Sequence, residues 1–411
     1  LFRSVKAVSG GGGVRGVCID SRAATANSLF FALTGMVTDG HRFVTDALEN
    51  GSIAAVVHES YKPSGSSIDE GRLLKVATPL RALHALARAY RGTLSVGHRI
   101  GITGSNGKTT TKEMLASVLR RRGDAYASGG NLNSETGVPL AVFSSPRSAE
   151  YAVYEMAMSN PGEMAWLADI VEPTIAVITN IGTAHIGQLG SREAIAREKK
   201  QIARCFTGNE TLFLPEDDEF AEILADGIHG SIKWFGPRSQ SARVFEGSEE
   251  THLEIDRWEA TVPFPGYYNA LNALAVVAVA DELGVPREIT KAGIESTELP
   301  FGRSRIARGE RTVLVDCYNA NPDSMTGAID TARRIAREAD GASLVLVLGA
   351  MKELGEFARD AHRRLISHAV AANPEVLVLI GAEFAGLPAG DDYAGTLIVG
   401  DSTDSIRDDL S

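Results

Sequence analysis

Arg99-Ile-Gly-Ile-Thr-Gly-Ser-Asn-Gly-Lys-Thr-Thr-Thr-Lys-Glu-Met-Leu-Ala-Ser-Val-Leu119 passes from a short apolar run through a glycine-rich turn into a helical pattern. Ile100 and Ile102 have the alternation of a strand, while Met114, Leu115, Val118 and Leu119 share one helical face. Between them, Gly104 and Gly107 let backbone N–H groups converge on an anion at a helix N-terminus, with Ser105, Asn106 and Thr110 alongside. Lys108 supplies a point charge for phosphate, and Thr109 offers a hydroxyl to Mg²⁺. The glycine spacing is not the strict one. Counting back from Gly107-Lys108, the usual first glycine falls on Ile102, and glycines stand at Gly101 and Gly104 instead. The plainer alternative is a glycine-rich turn with a solvated lysine. By itself the loop predicts binding of ATP or GTP and no more.

A chain of 411 residues exceeds one compact core and predicts about two to three domains. Hydrophobic content of 44% and charged content of 23% are ordinary for soluble globular protein. A net charge of −11 argues against a general nucleic-acid surface, though a local basic groove for an anionic small molecule is compatible with it. Cys18, Cys205 and Cys317 are far apart and form no CxxC, which indicates neither a disulfide framework nor a zinc site. No apolar run reaches the ~18 residues of a membrane span, and Leu1-Phe-Arg-Ser lacks a signal-peptide core, so the cytoplasm is the expectation.

Strand and helix patterns alternate along the chain, which predicts an α/β protein with mostly parallel sheets. Residues 1–95 read as a small α/β unit, with a flexible glycine run from Ser9 to Gly13 and strands at 14–19, 29–33, 53–57 and 73–76. Thr78-Pro79 caps a following helix, and Gly92 to Gly97 reads as a linker. Residues 96–300 read as a central unit with strands at 99–103, 151–156 and 174–179 and helices at 108–122, 161–171, 191–205 and 268–283. Within it, 209–263 looks broken. Residues 301–411 form a third unit, with strands at 312–315, 344–348 and 376–380 and helices at 323–336 and 356–371.

In an open parallel sheet, ligands sit at the carboxyl ends of strands. Glu155 ends one predicted strand and is a candidate Mg²⁺ ligand, the plainer alternative being a strand-end carboxylate that makes a helix cap or an ion pair. His185, just past another strand end, is a candidate metal or catalytic group, or a structural histidine. Lys199 and Lys200 read as a solvated helix face, and sequence physics singles out neither. Tyr318-Asn-Ala-Asn-Pro-Asp-Ser324 is a turn between strand and helix, with Asp323 or Ser324 as N-cap. Asp316, ending an apolar strand, is the better functional candidate there.

Taken in order, these motifs resemble the Mur ligase family, and within it the ligases that add D-alanyl-D-alanine. The resemblance rests on Asp20-Ser-Arg22, Thr38-Asp-Gly-His41, Gly104-Ser-Asn-Gly-Lys-Thr-Thr110, Asn131-Leu-Asn-Ser-Glu-Thr-Gly-Val-Pro139, Glu155-Met, Asn180-Ile-Gly-Thr-Ala-His185, Ile195-Ala-Arg-Glu-Lys199, Asn269-Ala-Leu-Asn272, Tyr318 to Ser324, and Leu348-Gly-Ala-Met-Lys-Glu-Leu-Gly355. It implies three domains: an N-terminal UDP-substrate unit, a central P-loop ATPase and a C-terminal Rossmann-like unit. It also implies ATP and Mg²⁺, with UDP-N-acetylmuramoyl-tripeptide and D-alanyl-D-alanine joined through an acyl phosphate by a monomer. Carried over by motif, Lys108 contacts the β/γ-phosphates, and Thr109 and Glu155 hold the first Mg²⁺. His185 serves a second metal region, and Lys199 matches a lysine that is carbamylated in the family. Asn269 and Asn272 face adenine, and Arg303 and Asp316 close on the nucleotide. Ser21, Arg22, Thr38, Asp39 and His41 hold the UDP end. Asn131, Asn133, Ser134, Glu135 and Thr136 line the muramoyl-peptide channel, and Tyr318, Asn319 and Asn321 belong to the substrate side.

Three positions depart from the family pattern. Tyr268 stands where a histidine is common, Ala350 replaces an aspartate, and Ser411 precedes an expected basic Lys-Gly-Ser-type motif, so the third unit reads as incomplete. The alternatives are a folylpolyglutamate-type or single-amino-acid ligase, which the Tyr318 to Ser324 turn argues against, and a non-catalytic nucleotide-binding module.

Overall fold

The computed structural model describes residues 13–35, 37–63, 68–339, 342–390 and 393–406. The glycine run from Ser9 to Gly12, and Ser411, lie outside the described residues. The N-terminal unit is a parallel sheet in sequential order: β1 (Gly16–Cys18), β2 (Ser28–Phe31), β3 (Ala54–His58) and β4 (Leu73–Val76). Both faces are covered, as parallel sheets require. Helix α1 (Val44–Glu49) packs Val44 and Ala47 against Phe30 and Val57. On the other face, α2 (Pro79–Arg91) packs Ala82 and Leu83 against Phe31 and Val56. Pro79 sits in the first turn of α2, where a missing N–H is harmless. The Thr78 side chain makes no capping bond, contrary to expectation.

The central unit begins with β5 (Ser95–Thr103), α3 (Lys108–Arg122), β6 (Ala125–Ala127), α4 (Gly137–Ser144) and β7 (Ser148–Glu155). It continues through α5 (Glu163–Val171), β8 (Ile175–Ile178), α6 (Ile186–Leu189), α7 (Arg192–Lys200), β9 (Thr211–Pro215), α8 (Ala221–Ala225) and β10 (Ser231–Phe235). Six parallel strands lie in the order β10-β9-β8-β5-β7-β6. Alternate residues feed two cores. Ile100, Ile102, Val153 and Val177 meet Met114 and Val118, while Ala152, Tyr154 and Ile178 meet Met164, Leu167 and Ile195. The expected linker at 92–97 is in part strand: Ser95 and Val96 pair with Ser148 and Ala149. Gly97 there marks a close approach rather than flexibility, since a Cβ would lie 2.8 Å from the Glu150 carbonyl oxygen. Helix α7 stops at Lys200, short of the expected 205, and passes into a 3₁₀ turn at Gln201–Ala203.

The broken stretch is more ordered than its sequence suggests. β9 and β10 extend the main sheet, and β11 (Ala242–Glu246), β12 (Thr251–Ile255) and β13 (Trp258–Val262) form an antiparallel meander. Leu253, Ile255 and Val262 pack in one core with Leu274 of α9 (Tyr267–Glu282) and Ile294 of α10 (Arg287–Glu295).

In the third unit, β14 (Arg305–Arg308) and β15 (Thr312–Val315) pair antiparallel in a sheet of their own. The strand at 312–315 therefore stands outside the parallel sheet of the third unit. That sheet is β16 (Val345–Gly349), β17 (Val376–Ile380) and β18 (Thr396–Gly400), all parallel. α11 (Pro322–Glu338) and α12 (Ala358–Ala371) pack on it through Ile329, Leu365 and Ile366. On the other face Val345, Val347, Leu397 and Val399 are exposed.

Candidate active site

Strand order in the central sheet reverses around β5, and the strand ends there line a cavity of about 1090 Å³. Connections diverge to both sides of such a reversal and leave a crevice for a ligand. β5 delivers the glycine loop, β7 ends on Glu155, and β8 leads to Thr179 and Asn180.

Packing explains the irregular glycine spacing. Gly104 has φ +148°, and a Cβ there would lie 1.8 Å from Thr179 Oγ1. Gly107 has φ +80°, and its Cβ would lie 2.2 Å from Asn272 Oδ1. Asn180 clamps the loop between them. Its carbonyl accepts from the Ser105 N–H and its side-chain oxygen from the Asn106 N–H, both at 3.0 Å. Its amide donates back to the Asn106 carbonyl, also at 3.0 Å. Gly107 caps α3 without any side-chain bond, so the helix's first N–H groups remain for an anion. The Lys108 ammonium donates to the carbonyls of Gly104 (2.9 Å) and Ser105 (3.1 Å).

Thr109 donates its hydroxyl to Glu155 Oε2 at 2.9 Å, and Asn133 donates to Glu155 Oε1 at 2.8 Å. Two oxygen donors thus stand side by side at the first turn of α3. Mg²⁺ at phosphate sites takes one or two protein oxygens and completes its shell with phosphate and water, so this pair fits it.

Lys199 lies beneath the loop, on a helix whose N-terminus is capped by Ser191. It is buried, and its ammonium donates to the Gly104 carbonyl at 3.0 Å, the same oxygen that holds Lys108. The two nitrogens are therefore no farther apart than those two bonds combined. Burial first, and Lys108 second, hold Lys199 well below the ordinary lysine range. His185 is in left-handed backbone, and its Nδ1 meets the Glu353 carboxylate of the third unit. Burial lowers its pKa, ahead of the opposing pull of Glu353.

The third unit reaches the loop directly. Asn321 donates to Asn106 Oδ1 at 2.7 Å, and Arg303 donates to Thr109 Oγ1 at 3.2 Å. Asp323 accepts from the Thr183 N–H (2.7 Å) and hydroxyl (2.9 Å). The N-cap of α11 is Asn321, not Asp323 or Ser324. Asn321 accepts from the Ser324 N–H, Ser324 returns a bond to the Asn321 N–H, and Pro322 fills the first turn. Asp323 is thereby free to face the central unit. Asp316, Tyr318 and Asn319 line the same cavity, and burial raises the pKa of Asp316. Asn269 and Asn272 form its buried far wall, the first donating to the Pro265 carbonyl at 2.8 Å.

A second cavity of about 1030 Å³ sits over the N-terminal unit and is lined by Ser21, Arg22 and Thr38. Glu135 and Thr136 line both cavities; Asn133 and Ser134 line the first. Some candidates lie elsewhere. Asp39 and His41 brace the loop instead of lining it: Asp39 accepts from the His41 N–H at 3.0 Å and holds its Nδ1 at 2.6 Å, while Nε2 accepts from the His58 N–H at 2.9 Å. Asn131 is exposed and lines neither cavity, while Gly104 and Lys199 lie below the first. Ala350 packs in the third unit's core away from the cavity. Asn180, Asp323 and Glu353 were not among the predicted site residues. Each lies in a motif already singled out, but nothing in a motif shows which distant segment its side chain will meet.

Residues 102–280 match the family description Mur ligase middle domain, 302–395 match Mur ligase, glutamate ligase domain, and 13–91 match Mur ligase family, catalytic domain. The chain is 40% identical to the UDP-N-acetylmuramoyl-tripeptide–D-alanyl-D-alanine ligase of Treponema pallidum, over 91% of this chain and 82% of that protein. Among solved structures, MurF from Acinetobacter baumannii matches with a TM-score of 0.85 and 31% identity, over 97% of this chain and 86% of the other. MurF from Thermotoga maritima in complex with ADP matches at 0.78 and 27% identity, over 97% and 91%.

Proposed function

The chain belongs to the Mur ligase family, and from that premise we propose that it is an ATP-dependent amide-bond ligase joining D-alanyl-D-alanine to UDP-N-acetylmuramoyl-tripeptide. The observation that carries this reading is a single cavity holding the phosphate cradle, the Thr109–Glu155 oxygen pair and the Asn319–Asn321 turn, joined at Glu135 and Thr136 to a second cavity. A long substrate suits that arrangement, with its nucleotide end over the N-terminal unit and its peptide carboxylate in the first cavity.

A carboxylate resists attack by an amine because it has no adequate leaving group. Transfer of the γ-phosphoryl to a carboxylate oxygen, with departure of ADP, installs one. The dipeptide amine then attacks the acyl carbon, phosphate leaves, and the nitrogen gives up a proton. The protein's work is positioning and charge neutralisation. Lys108 and the first N–H groups of α3 face the phosphates, and Arg303 arrives from the third unit at the same place. Thr109 and Glu155 would hold a Mg²⁺ ion, and His185 with a carbamylated Lys199 would serve a second one; such ions would supply neutralisation of phosphate charge. Burial and Lys108 favour the neutral amine of Lys199, the form that adds CO₂. The resulting carbamate would set an anion beside the Lys108 ammonium.

Asn269, Asn272 and Asp316 serve the nucleotide, with Ser21, Arg22 and Thr38 at the UDP end and Asn133 to Thr136 along the peptide. The reading places the enzyme in the cytoplasm, and among the described residues no helix is long and apolar enough to cross a membrane. Phosphate release from ATP by the purified protein tests it. Release should require both the UDP-muramoyl tripeptide and D-alanyl-D-alanine; release that needs neither would sink the reading.

A further inference from the structure

We propose that Tyr268 is a positioning residue for the ligation: its hydroxyl contact with Ser304 fixes the linker that aims Arg303 at the phosphate loop. The proposal rests on the ligase reading only for its kinetic arm.

Tyr268 is the second residue of α9, and its ring is gripped between two units. On the central side, a Cβ at Gly266 would lie 2.6 Å from the ring's Cε1. On the third unit's side, a Cβ at Gly327 of α11 would lie 3.3 Å from Cδ1. Both positions lack a side chain where the ring passes. Tyr268 is partly buried, and its hydroxyl meets Ser304 Oγ at 3.0 Å, with the Thr331 hydroxyl a second neighbour.

Ser304 is itself buried and lies in left-handed backbone, with φ +44°. Gly302, two residues earlier, has φ +83°. Left-handed backbone at a residue with a side chain persists only where its surroundings hold it. The pair of turns flanks Arg303 and directs it back toward the central unit. Its guanidinium stacks over the Tyr318 ring at 4.0 Å and donates to Thr109 Oγ1 at 3.2 Å. Two further bonds tie the linker to the turn that carries Tyr318: the N–H groups of Cys317 and Tyr318 both donate to the Gly302 carbonyl at 3.1 Å. Tyr318 thus steadies the guanidinium, and Tyr268 steadies the backbone it hangs from. A change of a few tens of degrees at Ser304 would carry the arginine away from Thr109.

Tyr268→Phe keeps the ring and removes the contact, so it separates positioning from packing. In the full chain, kcat should fall about tenfold with the KM for ATP changed less than twofold. Ser304→Ala should match it, and the double variant should lose no more than either single, because both changes cut one contact. Hydrogen exchange supplies a readout that needs no turnover: the amides of Ser304, Cys317 and Tyr318 should exchange about fivefold or more faster in Tyr268→Phe, with those of Val118 and Leu119 in α3 unchanged. Unchanged exchange at those three amides overturns the proposal whatever the kinetics. So does a rise in the KM for ATP without loss of kcat, which would make Tyr268 a nucleotide contact, or additive losses in the double variant. A wild-type protein that releases no substrate-dependent phosphate overturns the ligase reading instead, and the exchange measurement still decides the strut.

Discussion

Two lysines drawn onto one carbonyl oxygen are the sharpest conflict in the molecule, because neither has a carboxylate as a hydrogen-bond partner among the described residues. Burying an ammonium without a counter-charge is unfavourable, and a like charge nearby adds to it. Such a group is kept for chemistry rather than for stability. Lys199→Met should therefore move stability and activity in opposite directions. In bicarbonate-free buffer at neutral pH the variant should gain about 1–3 kcal/mol while substrate-dependent phosphate release disappears. The pH dependence follows from the sign of the shift. An unfolded lysine keeps its proton to about pH 10.4, whereas the folded one gives it up earlier. Between those two values the unfolded chain binds more protons, so wild-type stability climbs with pH through that window. The variant lacks this rise, and its advantage should shrink from pH 6.5 toward pH 10. Thermal melts across that range check it: parallel curves would mean that Lys199 carries no buried charge.

At the scale of elements, the first turn of α11 does two jobs with one side chain, since Asn321 caps the helix through its oxygen and reaches Asn106 through its nitrogen. Substitution separates them. Asn321→Ala should lose both, with about 1 kcal/mol of stability from the cap and a fall in turnover from the broken link to the phosphate loop. Asn321→Ser keeps a capping oxygen but is too short to bridge, so its melting temperature should stay near wild type while turnover still falls. Equal melting temperatures for the two variants would deny the cap. The same helix shows what sequence makes legible. Its presence follows from periodicity, but the sequence reads Asn321-Pro322 as turn and offers Asp323 or Ser324 as the cap, because only geometry shows which polar side chain folds back. β5, β7 and β8 were readable at the carboxyl ends that carry the site, but β5 and β7 begin at Ser95 and Ser148, ahead of the expected 99 and 151, because polar residues such as His98 and Glu150 interrupt the apolar run there. The meander at 242–262 was not, although Leu253, Ile255, Ala260 and Val262 alternate with His252, Glu254, Glu259 and Thr261: its strands are only five residues each, and α9 and α10 supply the cover for their apolar side. The site divides the same way. Lys108, Thr109 and Glu155 follow from strand-end logic, whereas Lys199 reads as solvent-facing until the fold lays it under the loop. Asp39 and His41 show a further limit, since residues in a binding motif can serve by holding the loop.

Across the whole molecule, the first cavity is finished from outside the central unit: Arg303 and Asn321 reach Thr109 and Asn106 at the phosphate loop, and Asp323 and Glu353 reach Thr183 and His185 after β8, all four coming from the third unit. The site is therefore only as well formed as the orientation of that unit, and contacts far from the chemistry share in setting it. The turn between β11 and β12 is one such contact. Glu246 pairs with Arg334 of α11 at 3.4 Å, Arg334 also donates to the Gly247 carbonyl, and Glu249 pairs with Arg308 of β14. Arg308 and Glu249 are at least half exposed, and Glu246 and Arg334 keep 33% and 24%, so each pair is worth only about 0.2–1 kcal/mol and is weakened by salt. Together they bias the third unit toward the loop without locking it, which suits an enzyme whose substrates must enter and leave. Replacing Glu246 and Glu249 together by Gln should raise the KM for ATP by about two- to fivefold at low ionic strength, with stability almost unchanged. In about 0.5 M salt, screening should bring the wild type toward the variant, and the difference should largely close. ATP titrations of the ligation rate at the two salt concentrations test this. A difference that persists undiminished at high salt would show that the hairpin acts through shape rather than charge.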